Sequence, residues 1–131
     1  MKKALLIIGI LLIAIALNIP AWAKHLHKES YYQAIWCQER GGETEVVMPD
    51  GTRCDCLTED VACEVDFASA SKWYESITQA LHYAMHTGKQ AAILLIVEKP
   101  GDWKYVDRAK ALIKFYCLPV VVFVIEPEKV D

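Results

Sequence analysis

The chain opens on one hydrophobic block and then settles into shorter, patterned segments. Lys2 and Lys3 precede an apolar run over residues 4–17, which Pro20 and the sequence Ala21-Trp22-Ala23 follow. A charged start, a short apolar core and a small-x-small end predict a secretory signal peptide cleaved after Ala23. The run is shorter than the roughly 20 apolar residues a membrane-spanning helix needs, so membrane contact is expected only through an uncleaved signal segment. Beyond it, residues 24–29 are polar, and Ser30 with Gln33 gives a capping-box spacing for a helix through about Arg40. That helix carries Tyr32, Ile35 and Trp36 on one stripe and stops at Gly41-Gly42. Residues 43–48 then read as a strand, Pro49-Asp50-Gly51 as a turn, and 52–57 as a second strand. Thr58-Glu59-Asp60 turns the chain again into a third strand over 61–67. A second helix starts from Ser69 or Ser71 and reaches His86, with Trp73, Ile77, Ala80, Leu81, Ala84 and Met85 on one face and Gly88 as its stop. Residues 91–97 are continuously apolar, as a strand covered on both faces should be. After the loop 99–102, a third helix over 106–116 and a last buried strand over 120–125 complete the pattern. The predicted class is α/β (α+β): a helix, a three-strand meander, then helix, strand, helix, strand, in a mixed sheet with helices on both faces.

Composition narrows the picture. The residues after Ala23 suffice for one core, so 24–131 is read as one domain. The chain of 131 residues has a formal net charge of −3, more negative once Lys2 and Lys3 leave. A global electrostatic pull on nucleic acid is thereby excluded, and any such binding needs a local basic groove. Five cysteines, Cys37, Cys54, Cys56, Cys63 and Cys117, would meet an oxidising compartment on export. Their odd number leaves at least one free or paired between chains. Cys54 and Cys56 share a strand face and rarely bridge each other, so they are expected as small buried hydrophobes or in a cross-strand disulfide.

The candidate chemistry lies in strand interiors. Asp55 sits mid-strand, and Glu64 and Asp66 alternate on the next strand toward one side. A hairpin turning near 58–61 places Asp55 opposite Glu64. The same register opposes Cys56 and Cys63 on the other face, which predicts a disulfide between them. Charge inside a strand is expensive unless it is paired or coordinates a cation. Lys72 and Gln79 share a stripe of the following helix and could reach the acids, and Glu39 could approach from the first helix. Together these groups offer oxygen ligands for a hard cation, a positive charge and a positioning amide.

Three segments carry a family resemblance: Gly51-Thr-Arg-Cys-Asp55-Cys-Leu, then Cys63-Glu64-Val65-Asp66-Phe67, then Lys72-Trp73-Tyr74-Glu75 with Gln79-Ala80-Leu81-His82-Tyr83-Ala84. In their order over residues 30–97, the chain resembles the PD-(D/E)xK nuclease superfamily, the fold of restriction endonucleases and Holliday-junction resolvases. The resemblance implies a restriction endonuclease-like αβββαβ core extended by a helix and a strand. It also implies Mg2+ or Mn2+ as cofactor, held by Asp55 and Glu64, and nucleic acid as partner; Asp66, on the same strand side as Glu64, is a further candidate ligand. Asp55 matches the family's first metal-binding acid, Glu64 its second, Gln79 the helix glutamine of several branches, and Glu39 the helix-one acid of the resolvase-like branches. The family's lysine two residues after the glutamate is here Asp66, of opposite charge; some members supply that lysine from the following helix, where Lys72 stands.

The expected function is therefore an exported, periplasmic or secreted, metal-dependent hydrolase of phosphodiesters with Asp55, Glu64 and Lys72 as catalytic residues. The alternatives are a catalytically degenerate nuclease-fold binding module in the periplasm and a small cysteine-based redox or metal-handling protein. His82 and His86 are four apart, a spacing that can bind zinc, but no Glu follows His82 as the zinc-protease motif requires. They are expected as surface or helix-end histidines.

Overall fold

The computed structural model describes residues 25–70 and 72–127, so the expected signal segment and its expected cleavage after Ala23 lie outside the described residues. The elements run α1 (Glu29–Glu39), β1 (Glu43–Val47), β2 (Arg53–Leu57), β3 (Val61–Phe67), α2 (Trp73–Thr87), β4 (Gln90–Ile96), a 3-10 turn (Pro100–Asp102), α3 (Trp103–Phe115) and β5 (Val120–Ile125). They build a mixed α+β fold around one five-stranded sheet in the order β1-β2-β3-β4-β5. The first three strands are antiparallel neighbours and the last three parallel. Among the described residues no helix is long and apolar enough to cross a membrane.

The connections decide which face each helix covers. Both parallel crossovers, β3-α2-β4 and β4-α3-β5, step the same way across the sheet. With the usual right-handed sense, both helices therefore fall on one face. Trp73, Ile77 and Ala80 of α2 and Val106 and Ala109 of α3 pack there against Ala91, Ile93 and Leu95 of β4. The opposite face of β4, Ala92, Leu94 and Ile96, is covered by Tyr32, Trp36 and Cys37 of α1. Strand β4 is thus covered on both sides, as its unbroken apolar run predicts.

Local details depart from the sequence reading. Helix α1 starts at Glu29, with Lys28 at its N-cap and no side-chain cap hydrogen bond, so the Ser30–Gln33 capping box does not form. Gln33 is instead buried, its amide donating to Glu45 Oε1 at 2.9 Å and to the Asp55 carbonyl at 2.7 Å. Helix α3 begins at Trp103 rather than 106, because Asp102 Oδ2 accepts from the Lys99 N–H (3.1 Å) and winds the preceding turn directly into the helix. Strand β5 pairs with β4 at the end of the sheet, and only its first residue, Val120, is buried.

The expected Cys56–Cys63 disulfide is corrected. The register is as predicted, Cys56 opposite Cys63, yet Cys56 is bonded to Cys37 of α1. Helix α1 lies over the same sheet face, and Gly42 lets the chain pass beside the bridge. A Cβ at position 42 would come within 2.8 Å of Cys37 Sγ and 2.9 Å of the Leu57 carbonyl. Cys63 and Cys54 stay buried and free, and Cys117 is free and exposed.

Candidate functional site

Strands β2 and β3 separate where the acids lie. The paired residues are Cys56 with Cys63 and Leu57 with Ala62; one step further, Asp55 turns a carboxylate oxygen to the Val65 N–H at 2.8 Å. A side chain thus replaces a ladder hydrogen bond, which satisfies the Val65 donor and opens the sheet beside Glu64. The opposing residue on β1 is unusual too. Glu45 adopts φ 57°, a left-handed conformation that a non-glycine residue rarely takes within a strand. Its carboxylate meets the Gln33 amide at 2.9 Å and Arg53 at 3.4 Å.

Alternation on β3 sends Val65 to the α1 face and Glu64 and Asp66 to the other. Asp66 accepts from Ser76 Oγ of α2 at 3.2 Å. Glu64 is buried, and its Oε2 has no hydrogen-bond partner. Burial pushes its carboxyl up to about 9, and the charges of Asp55, Glu29, Asp66 and Glu45 add to that. Burial likewise raises Asp55 to about 6, despite the Val65 hydrogen bond, with Glu45 and Asp66 adding to the rise. Asp66 is raised by burial against the pull of Ser76 and Lys72. A fourth acid joins them: Glu29, raised to about 7 by burial and then by Asp66 and Asp55. These carboxylates share one electrostatic environment in which negative charge exceeds positive.

The structure thus brings Asp55, Glu64 and Asp66 into mutual influence. Lys72 is exposed at the N-cap of α2, where its charge is felt by Glu29 and Asp66. Gln79 is exposed on α2, one turn before Tyr83, whose hydroxyl is raised by burial and further by Glu64 and Asp55. Glu39 does not join them. It stands exposed beside Arg40, at 3.8 Å, about 15 Å along the helix from Glu29. The reason is directional: the C-terminal end of α1 feeds β1 at Glu43, which pairs with Leu57 at the far end of β2. The N-terminal half of α1, with Glu29 and Gln33, is the part that approaches the acids. Glu29 and Glu45 are the two acids that sequence reasoning missed; the helix direction within the αβ unit was the signal for the first, and nothing in the pattern marks the second.

Beside Glu29 lies an open cleft of about 630 Å3 lined by His25, His27, Lys28, Glu29 and Phe67. Glu98 holds its wall. Tyr32 Oη and the Leu26 N–H donate to Glu98 Oε1 at 2.8 and 2.9 Å, and His25 Nδ1 lies 2.9 Å from Oε2, with the His25 ring stacked on Phe67.

A second cluster stands apart, at the β1–β2 turn. Asp50 Oδ2 lies 2.6 Å from His82 Nε2 and 3.3 Å from His86 Nε2. Among the described residues, these three are the one set of three or more His, Cys, Asp or Glu side chains whose ligand atoms all lie within 4.8 Å of one another. The two histidines expected as surface or helix-end residues are therefore drawn together by Asp50.

Fold and sites define a mixed α+β protein with a disulfide-pinned helix, a partly buried acidic cluster centred on Glu64 and Asp66, and a His-His-Asp group able to hold a metal ion. No protein family, curated protein or solved structure matches the chain.

Proposed function

We propose that this protein is an exported, metal-dependent nuclease-like hydrolase of phosphodiester bonds in nucleic acid, with Mg2+ or Mn2+ as its cation. The observation that carries the reading is Glu64: a buried carboxylate with an oxygen lacking any partner, in the field of four further acids, Asp55, Glu29, Asp66 and Glu45. Burial of so much like charge is unfavourable without a counter-charge, and a divalent cation compensates it. Because no three of these acids bring their oxygens within 4.8 Å of one another, the fit is to a cation taking one or two carboxylates and keeping several waters, as Mg2+ does. Asp55 and Glu64 would hold it, with Asp66 or Glu29 accepting from its waters. When bound, the cation supplies Lewis-acid activation of water and neutralises charge on the phosphate. The chain's own groups do the rest. Val65 N–H fixes the Asp55 carboxylate, Ser76 orients Asp66, and Lys72 brings positive charge to the rim. The cleft by Glu29 offers Lys28 and two imidazoles to a phosphate backbone and Phe67 to a base. The Cys37–Cys56 disulfide is compatible with export.

A second reading, a nuclease fold kept only for binding, is favoured by Asp66 at the motif-lysine position and by the exposure of Lys72. A thiol-redox role has less support, because burial pushes the Cys54 thiol up to about 11 and Cys63 well above its usual value, away from the reactive thiolate.

The test combines thermal unfolding with Mg2+ or Mn2+ and a cleavage assay on single-stranded and duplex DNA. The expected result is metal stabilisation lost in Asp55→Asn and Glu64→Gln, and cleavage lost in Lys72→Ala. Stabilisation without cleavage selects the binding module, and no response in wild type removes the site.

A further inference from the structure

The turn between β1 and β2 is built to aim one carboxylate oxygen at α2. Pro49-Asp50-Gly51 reverses the chain, with Gly51 at φ 85° where a side chain is disfavoured. Asp50 Oδ1 is consumed locally: the Thr52 N–H and Oγ1 donate to it at 3.1 and 2.6 Å. Oδ2 is left to face His82 and His86, one helical turn apart on α2, with rings 4.7 Å between centroids and 79° between planes. Met48, Cys54, Ala62 and Tyr83 pack as an apolar cluster where the hairpin meets the helix.

Hydrogen bonding alone does not satisfy this group. His82 Nε2 takes Asp50 Oδ2, whereas His86 Nε2 is buried, lies 3.3 Å from the same oxygen and makes no hydrogen bond. One oxygen therefore faces two ring nitrogens and bonds one. A shared cation satisfies all three atoms. Ligand atoms about 2.0–2.1 Å from a tetrahedral zinc lie about 3.3 Å apart. The His86–Asp50 separation already has that value, and the His82–Asp50 pair has to open by about 0.7 Å. Two imidazole nitrogens and one carboxylate suit a borderline transition metal, unlike the all-oxygen set of the acidic cluster.

We propose that Asp50, His82 and His86 bind a divalent transition metal, Zn2+ foremost, which staples the β1–β2 turn to α2 and leaves a fourth position for water. This site is separate from the acidic cluster and does not depend on the hydrolase reading. Its role is to fix the hairpin that carries Asp55 against the helix that carries Lys72 and Gln79.

The experiment titrates chelator-treated, intact protein with Zn2+ by calorimetry, with thermal unfolding alongside. Expected are one Zn2+ per chain at this site and a rise in Tm, both lost in His82→Ala, His86→Ala and Asp50→Asn and both retained in Glu64→Gln. Co2+ in place of Zn2+ should give visible absorption without a thiolate charge-transfer band, which separates the site from Cys117. If a histidine variant does not fold, Asp50→Asn at the turn carries the same test. Binding that survives all three substitutions, or that is lost instead in His25→Ala or His27→Ala, overturns the proposal.

Discussion

Glu64 concentrates the electrostatic strain of the acidic cluster in one side chain. Its carboxyl moves from 4.5 to about 9, chiefly through burial, so the folded state prefers it protonated. Between those values the native protein holds a proton that the unfolded chain has released. Stability therefore falls as pH rises from about 4.5 to about 9 and levels off above. Asp55, raised from 3.8 to about 6, and Glu29, raised from 4.5 to about 7, act in the same direction over narrower windows. Urea unfolding of metal-free protein across this range should show the decline, and Glu64→Gln should flatten it and be at least as stable as wild type near pH 8. A variant with an unchanged slope would assign the strain elsewhere.

At the scale of elements, α1 is held to β2 by a covalent bond, by the Gln33–Asp55 hydrogen bond and by the close approach that Gly42 permits. The Cys37–Cys56 bridge spans a sequence separation of 19, for which loop-closure entropy gives about 3 kcal/mol. Replacing both cysteines by Ala should lower unfolding stability by about that amount. Gly42→Ala should destabilise by about 1–3 kcal/mol, because its Cβ would press on both sulfurs and on the Leu57 carbonyl. Gly101→Ala, whose Cβ would meet nothing within 4 Å, is the matched control. In the background lacking both sulfurs, Gly42→Ala should destabilise less, a coupling that a double-mutant cycle in denaturant measures directly.

Across the whole molecule, Glu98 ties the segment at His25–His27 to the sheet. Burial raises its carboxyl, but hydrogen bonds from Tyr32, His25 and the His27 and Leu26 backbones outweigh that and hold it below the usual range. The sign is opposite to that of Glu64. This anchor contributes stability above about 4.5 and loses it as pH falls through the lowered value. Glu98→Gln should therefore release the N-terminal segment, seen as faster proteolysis near residue 28 with the rest of the domain intact, and should weaken any ligand that uses the cleft by Glu29. Unchanged proteolysis would show that the His25–Phe67 stack alone holds the segment.

The sequence by itself determined the element order, the meander and its register, because these follow from local rules. Apolar periodicity marked the helices, the Pro49-Asp50-Gly51 turn set the hairpin, and the unbroken 91–97 run announced a strand covered twice. It also singled out Asp55, Glu64 and Asp66, since charge inside a strand is visible without a fold. Tertiary structure alone decided what meets across elements. Helix direction brought Glu29, not Glu39, to the acids; the placement of α1 gave Cys56 to Cys37 instead of Cys63; and a turn more than thirty residues away in sequence supplied the carboxylate that turns His82 and His86 into a candidate metal site. Periodicity reports which side of its own element a residue occupies. It carries no information about which residue of a distant element stands opposite, and that depends on crossover hand, helix length and close approach at positions such as Gly42.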